Sequence, residues 1–168
     1  TNSIVINYDE INYENGNKNL KFTLHNEDII RSIEFINDNK LLIATLKNLS
    51  IYKINIENYE LKKECDVKEF NYRINYSTEL SNGYLIICSY NMMNIIELKN
   101  DFILSLFRKY NLIQKLVGMK ESCNFNKVIE LEEKNVLISC DQSYIIIWIK
   151  NDKTNFYEIY RNINTDSK

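Results

Sequence analysis

Three kinds of side chain in this sequence could do chemistry: four cysteines, a single histidine, and glutamates that recur along the chain. A nucleophile or a general base needs a partner within reach, and no Ser or Cys motif near His25 supplies one. His25 therefore reads as a structural residue. Cys65, Cys88, Cys123 and Cys140 contain no Cys-x-x-Cys pair, and no second histidine joins them, so the spacing predicts no structural zinc site. Cys88 and Cys140 each close an apolar run, where a small buried hydrophobe is expected. Glu34, Glu79 and Glu130 fall at matching places of a repeat, and three converging carboxylates could hold a metal ion at ligand distances of roughly 2.5 Å. The expectation is solvated carboxylates, with no metal and no cofactor. Gly16, Gly83 and Gly118 are too scattered for a phosphate-cradling loop, and no small-molecule substrate is evident.

The elements that would position these residues are strands. Branched and aromatic side chains dominate the apolar positions, and such side chains pack well on a pleated, half-buried surface. Proline is absent and only three glycines occur, so the turns fall to asparagine, which tolerates left-handed backbone angles. The internal repeat is the strongest signal. Ile33-Glu34-Phe35-Ile36, a turn at 37–39, Leu41-Leu42-Ile43-Ala44-Thr45 and Leu49-Ser50-Ile51-Tyr52-Lys53-Ile54 form one unit. The order returns at 78–98 and again at 128–149, with Ile51, Ile95 and Ile146 in matching places at spacings of 44 and 51 residues. Between the units lie polar strands at 20–24, 59–64, 112–116 and 156–160, whose charges suit an outer edge. Continuously apolar middle strands such as 41–44 and 136–138 imply sheets covered on both faces.

Four antiparallel strands per unit of about 40 to 50 residues is the pattern of a propeller blade. The residues resemble the WD40 family. Leu24-His25-Asn26-Glu27-Asp28-Ile29 is similar to its turn before the innermost strand, and Leu116-Val117-Gly118-Met119 to the same turn with Met in the His place. Ser139-Cys140-Asp141 followed by Ile145-Ile146-Ile147-Trp148 is similar to its Ser-x-Asp turn and Trp-ending third strand. The resemblance implies structural roles for His25, Gly118, Asp141 and Trp148. No unit carries the family's full His, Ser/Thr, Asp and Trp set, so the units read as diverged, held by apolar packing.

The expected fold is thus all-β, an incomplete ring of WD40-like blades within one domain spanning 1–168: the end of a preceding blade at 1–24, then blades at 25–64, 65–116 and 117–161, and a tail at 162–168. The second blade carries an insertion at 100–111, where Ile103, Leu106, Phe107 and Tyr110 would share one helical face, with Phe102 beside them. That segment either contacts a partner or packs on the ring.

Net charge is −2 without a basic stripe, which disfavours nucleic acid, and no apolar run approaches the roughly 20 residues of a membrane span. Unpaired thiols and the lack of a signal-peptide pattern predict an intracellular, cytoplasmic protein, the nucleus left open. What WD40 resemblance implies is a non-enzymatic scaffold whose partners are other proteins or the remaining blades of the same chain. The alternatives are a propeller enzyme with a channel-mouth site built from another part of the ring, or an RNA-binding propeller. The chain begins at Thr1 rather than Met, and about three and a half units are countable where a closed ring needs at least four. A segment of a larger ring is expected; sedimentation as a stable monomer without exposed apolar surface would refute it.

Overall fold

The computed structural model describes residues 2–10, 18–26, 29–36, 39–55, 57, 60–67, 70, 72–98, 110–118, 124–131, 135–140 and 143–165, with backbone alone for 2–10 and 18–26. Every element among them is a strand. β1 (Asn2–Glu10) and β2 (Lys18–Asn26) form a two-stranded antiparallel sheet. Three four-stranded antiparallel sheets follow in strict chain order. The first holds β3 (Ile30–Ile36), β4 (Lys40–Thr45), β5 (Leu49–Asn55) and β6 (Glu60–Val67). The second holds β7 (Ile74–Glu79), β8 (Leu85–Ser89), β9 (Met92–Leu98) and β10 (Tyr110–Val117). The third holds β11 (Lys127–Leu131), β12 (Val136–Cys140), β13 (Tyr144–Lys150) and β14 (Tyr157–Asn164). The expected all-β meanders are present, and they do not close a ring.

The turns use the residues that the backbone demands. Asn39, Gly83 and Asn135 lie in the first turn of each sheet with φ of 57°, 83° and 50°. Only glycine takes that left-handed region freely, and asparagine is the best-suited substitute. Asn39 and Asn135 also accept, on their carbonyls, the N–H groups of Ile54 and Lys150 at 2.9 Å each. The first turns of the first and third sheets are thereby tied to the end of the third strand of their own sheet. The outer strands β6, β10 and β14 all carry a β-bulge, opposite Ile51/Tyr52, at Leu112/Gln114 and opposite Ile147/Trp148. Bulges raise local twist and suit edges.

Register decides which face each side chain joins. Leu42, Ala44, Leu49 and Ile51 of the first sheet pack on Ile74, Leu85, Ile87 and Ile96 of the second. Ile86, Cys88, Met93 and Ile95 on the second sheet's other face pack on Val128, Leu137, Ile146 and Trp148 of the third. Burying each such side chain contributes about 1.5–3 kcal/mol, so these two junctions are the principal source of cohesion. Burial also pushes the Cys88 thiol's pKa far upward, with Cys140 nearby adding to the effect; Cys88 is packing, not reagent.

The same register corrects two alignments made from sequence. Leu42 pairs with Ile51 and Ile86 with Ile95, but Ile138 pairs with Ile147, so Ile147 rather than Ile146 completes that set. Ile36 pairs directly with Lys40 across three residues, whereas Leu131 pairs with Val136 across four. The extra residue advances the third repeat by one, and a one-residue slip moves a side chain to the opposite face. His25 also differs from expectation: its backbone lies inside β2, opposite Ser3, rather than in a turn opening a blade. Tyr110 is the first residue of β10 rather than part of a helical face, and its ring stacks on Phe70 at 5.5 Å.

Ile86→Ala, at the fully buried second junction, is expected to lower unfolding free energy by about 2–5 kcal/mol. Lys62→Ala, on the exposed β6 strand, should change it by about 0.5 kcal/mol or less. Urea denaturation of the two variants side by side checks the contrast.

Candidate functional site

The first strands of the three sheets approach one another: β3 lies against β7, and β7 against β11. Polar contacts stitch this inner edge. Ser77, fully buried, donates its backbone N–H to Ser32 Oγ at 3.2 Å, and the two hydroxyls lie 3.4 Å apart. Asn75, which sits at the β7 bulge, donates from Nδ2 to Asn124 Oδ1 at 2.5 Å and to the Phe125 carbonyl at 3.2 Å.

On this frame Tyr76 is the centre of a cluster that draws ionisable side chains from three successive sheets. Its phenol donates a hydrogen bond to the Glu34 carboxylate of β3 and accepts one from Thr78. The Lys127 ammonium of β11 stands over its ring, 5.7 Å from the centroid. Burial first, and then the Glu34 charge and hydrogen bond, push the Tyr76 pKa up to about 12. Tyr76 is therefore a neutral donor at physiological pH, not a base. A carboxylate acceptor, a phenol, a hydroxyl and a cation together can grip a small polar ligand, and the carboxylate can take a proton from a bound water.

The three glutamates do not form the ring that their spacing suggested. Glu34 pairs with Leu42 and faces the following sheet; Glu79 pairs with Leu85 and Glu130 with Leu137, and both face the preceding one. Glu130 instead clamps the neighbouring first turn, accepting from the Ser81 N–H at 2.6 Å and the Ser81 hydroxyl at 3.1 Å. Among the described residues no group of three His, Cys, Asp or Glu side chains lies placed to hold a metal ion.

The other sequence-derived residues fall elsewhere. Trp148 is buried in β13 and donates its indole N–H to Ser139 Oγ at 2.8 Å. Gly118 follows β10 and donates its N–H to the Asn91 carbonyl at 3.1 Å. Asp141, Phe102, Ile103, Leu106 and Phe107 lie outside the described residues, as does the side chain of His25. Tyr110 is half-buried on the core formed with Phe70. Sequence reasoning found Glu34 but missed Tyr76 and Lys127, which no motif marks. The one available signal was their shared repeat position, two residues before Thr78 and Ile129 on matching strands. A cleft of about 180 Å³ between the second and third sheets is walled by Tyr84, Gln114 and Tyr157. It falls short of the roughly 300 Å³ usual for ligand pockets.

No family model matches this chain, and no curated protein matches it. Solved structures do. A protein from Lactobacillus plantarum matches with a TM-score of 0.70 at 8% identity, over 96% of this chain and 52% of that one. A functionally unknown protein from Desulfotomaculum acetoxidans matches at 0.65 and 14% identity, over 88% and 46%. A candidate 6-phosphogluconolactonase from Bacteroides fragilis matches at 0.64 and 11% identity, over 87% and 42%. The class they share with this chain is a propeller-type fold. This chain spans about half the length of the solved structures it matches.

These matches correct the expectation of a non-enzymatic scaffold. A fold shared with a candidate lactonase supports the enzyme alternative better than the scaffold. Glu34, Tyr76 and Lys127, which no local motif joins, meet only across sheets. No described helix is long and apolar enough to cross a membrane.

Stability at high pH reports on Tyr76. Its pKa is raised on folding, so its contribution is fully present below the unfolded value near 10 and is lost as pH climbs towards about 12. Denaturation midpoints should fall across that window, and Tyr76→Phe should make the fall shallower. Some slope remains, because burial also raises the pKa of Tyr72 and Tyr157.

Proposed function

We propose that this chain supplies successive blades of a propeller enzyme, with a hydrolytic site at the channel mouth where β3, β7 and β11 meet. The observation that carries this reading is the convergence of Glu34, Tyr76 and Lys127 from three sheets onto one place. The reaction class best suited to it is opening of a sugar-acid lactone, the chemistry named for the Bacteroides fragilis neighbour. Glu34 takes a proton from water as the water oxygen bonds to the lactone carbonyl carbon. The carbonyl–ring oxygen bond then breaks, and that proton passes to the departing ring oxygen, giving the open hydroxy acid. Tyr76, held neutral, orients the Glu34 carboxylate through their hydrogen bond, and the Lys127 cation attracts an anionic substrate.

At the finer level we read the blades as diverged WD40-type units, a reading supported by the Trp148 to Ser139 hydrogen bond. A reducing, cytoplasmic setting is supported by the free thiols Cys65, Cys88 and Cys140.

The test is lactone hydrolysis by the complete polypeptide that carries these residues, with 6-phosphogluconolactone as probe. Glu34→Gln should lower kcat by about 10²–10⁴-fold. Lys127→Met should mainly raise KM, as loss of uniform binding does. Wild-type turnover no faster than buffer, or a Glu34→Gln variant with full activity, overturns the proposal.

A further inference from the structure

The cleft of about 180 Å³ between the second and third sheets has two walls, and hydrogen bonds pin both. On the second sheet's side, the Leu80 N–H donates to the Tyr84 carbonyl at 2.7 Å and the Gly83 N–H to the Leu80 carbonyl at 2.9 Å. Glu130 holds the same turn through Ser81. On the third sheet's side, the Asn155 N–H donates to the Asn151 carbonyl and the Asn151 N–H to the Phe156 carbonyl, both at 2.8 Å. Gln114 ties the walls together by its two bonds to the Tyr157 backbone. The recess is therefore preformed, and filling it costs little ordering of the protein.

The lining states what fits. Leu80, Ile95 and Ile113 supply aliphatic surface, and Tyr84, Phe156 and Tyr157 supply rings. Phe156 stays 47% exposed although it lines a junction whose two sheets are both in place. A cavity of roughly 150 Å³ lined by Leu, Ile and Phe takes one benzene ring. This cleft has room for a ring and a short substituent. Lys150 also lines it, its ammonium held 5.9 Å from the centroid of the Tyr157 ring. The Glu130 carboxylate is close enough to raise the Tyr157 pKa, but it is bonded to Ser81 and is not part of the lining. The lining thus carries one cation and no carboxylate.

We infer that this cleft binds a small aromatic carboxylate, its ring against Tyr84, Phe156 and Tyr157 and its charge on Lys150. Asn82 and Thr154, which also line the cleft, add an amide and a hydroxyl able to donate to the carboxylate. None of Glu34, Tyr76 and Lys127 lines the cleft, so the site is separate from the inner-edge cluster and independent of the lactonase reading.

Phenylacetate is the probe, titrated against the complete polypeptide by ligand-detected NMR, with benzyl alcohol as its uncharged comparison. A Kd on the order of 1 mM is expected, in keeping with a ligand of about ten non-hydrogen atoms. Lys150→Met should weaken phenylacetate about tenfold, as loss of one hydrogen bond to a charged group does, and leave benzyl alcohol unchanged. Lys150→Gln gives the same reading should the Met variant not fold. Thr154→Trp, at an exposed position of the lining, fills the cleft and should abolish binding of both probes. Lys127→Met, at the inner edge, should change neither. No binding of phenylacetate, full binding to the Thr154→Trp variant, or unchanged affinity in both Lys150 variants overturns the inference. So does loss of phenylacetate binding in Lys127→Met, which would assign the ligand to the inner edge. Failure here leaves the lactonase assay unaffected, and the converse also holds.

Discussion

Face-to-face burial of aliphatic side chains between successive sheets is the constraint on which this molecule depends. A small four-stranded sheet alone leaves both faces wet, and its strands gain little until a neighbour removes that area from water. Here the middle strands β4 and β8 are apolar on both sides, so the second sheet serves two junctions at once and the first is buried on both faces. The outer strands invert the pattern: β6 is mostly exposed, and Lys40 pairs with Glu64 at 3.4 Å across that sheet. Polarity rises outward because the outer strands have water, not another sheet, beside them.

Apolar contact is non-directional, and polar stitches supply the direction. Gln114 of β10 bonds the backbone of Tyr157 in both senses, accepting from its N–H at 2.9 Å and donating to its carbonyl at 2.7 Å. Glu130 grips Ser81, and Asn75 grips the chain leading into β11. Each links one sheet to the next at a different distance from the inner edge, which fixes rotation as well as separation. The Glu34, Tyr76 and Lys127 cluster is built on that fixed inner edge. Its members can be placed for chemistry only because the sheets that carry them cannot slide.

Much of the fold was legible without coordinates. The run 41–45 reads as a covered strand, the turn residues Asn39, Gly83 and Asn135 recur, and the order of strands within each unit follows from their spacing. The candidate site was legible only in part. Glu34 could be singled out as a repeated carboxylate, but Glu79 and Glu130, its supposed counterparts, face the other way. Nothing local distinguishes Tyr76 from the other tyrosines in the chain, or Lys127 from an ordinary solvated lysine.

The sequence by itself determined the strands, their turns and their assembly into repeated meanders, because alternation and left-handed turn positions are properties of neighbouring residues. Tertiary structure alone decided the register of each repeat, and hence the face to which Ile146, Ile147 and the three glutamates belong. One additional residue between Leu131 and Val136 was enough to reverse an assignment. It alone also decided which titratable groups meet, since residues 34, 76 and 127 are brought together by sheet packing and by nothing in the chain between them.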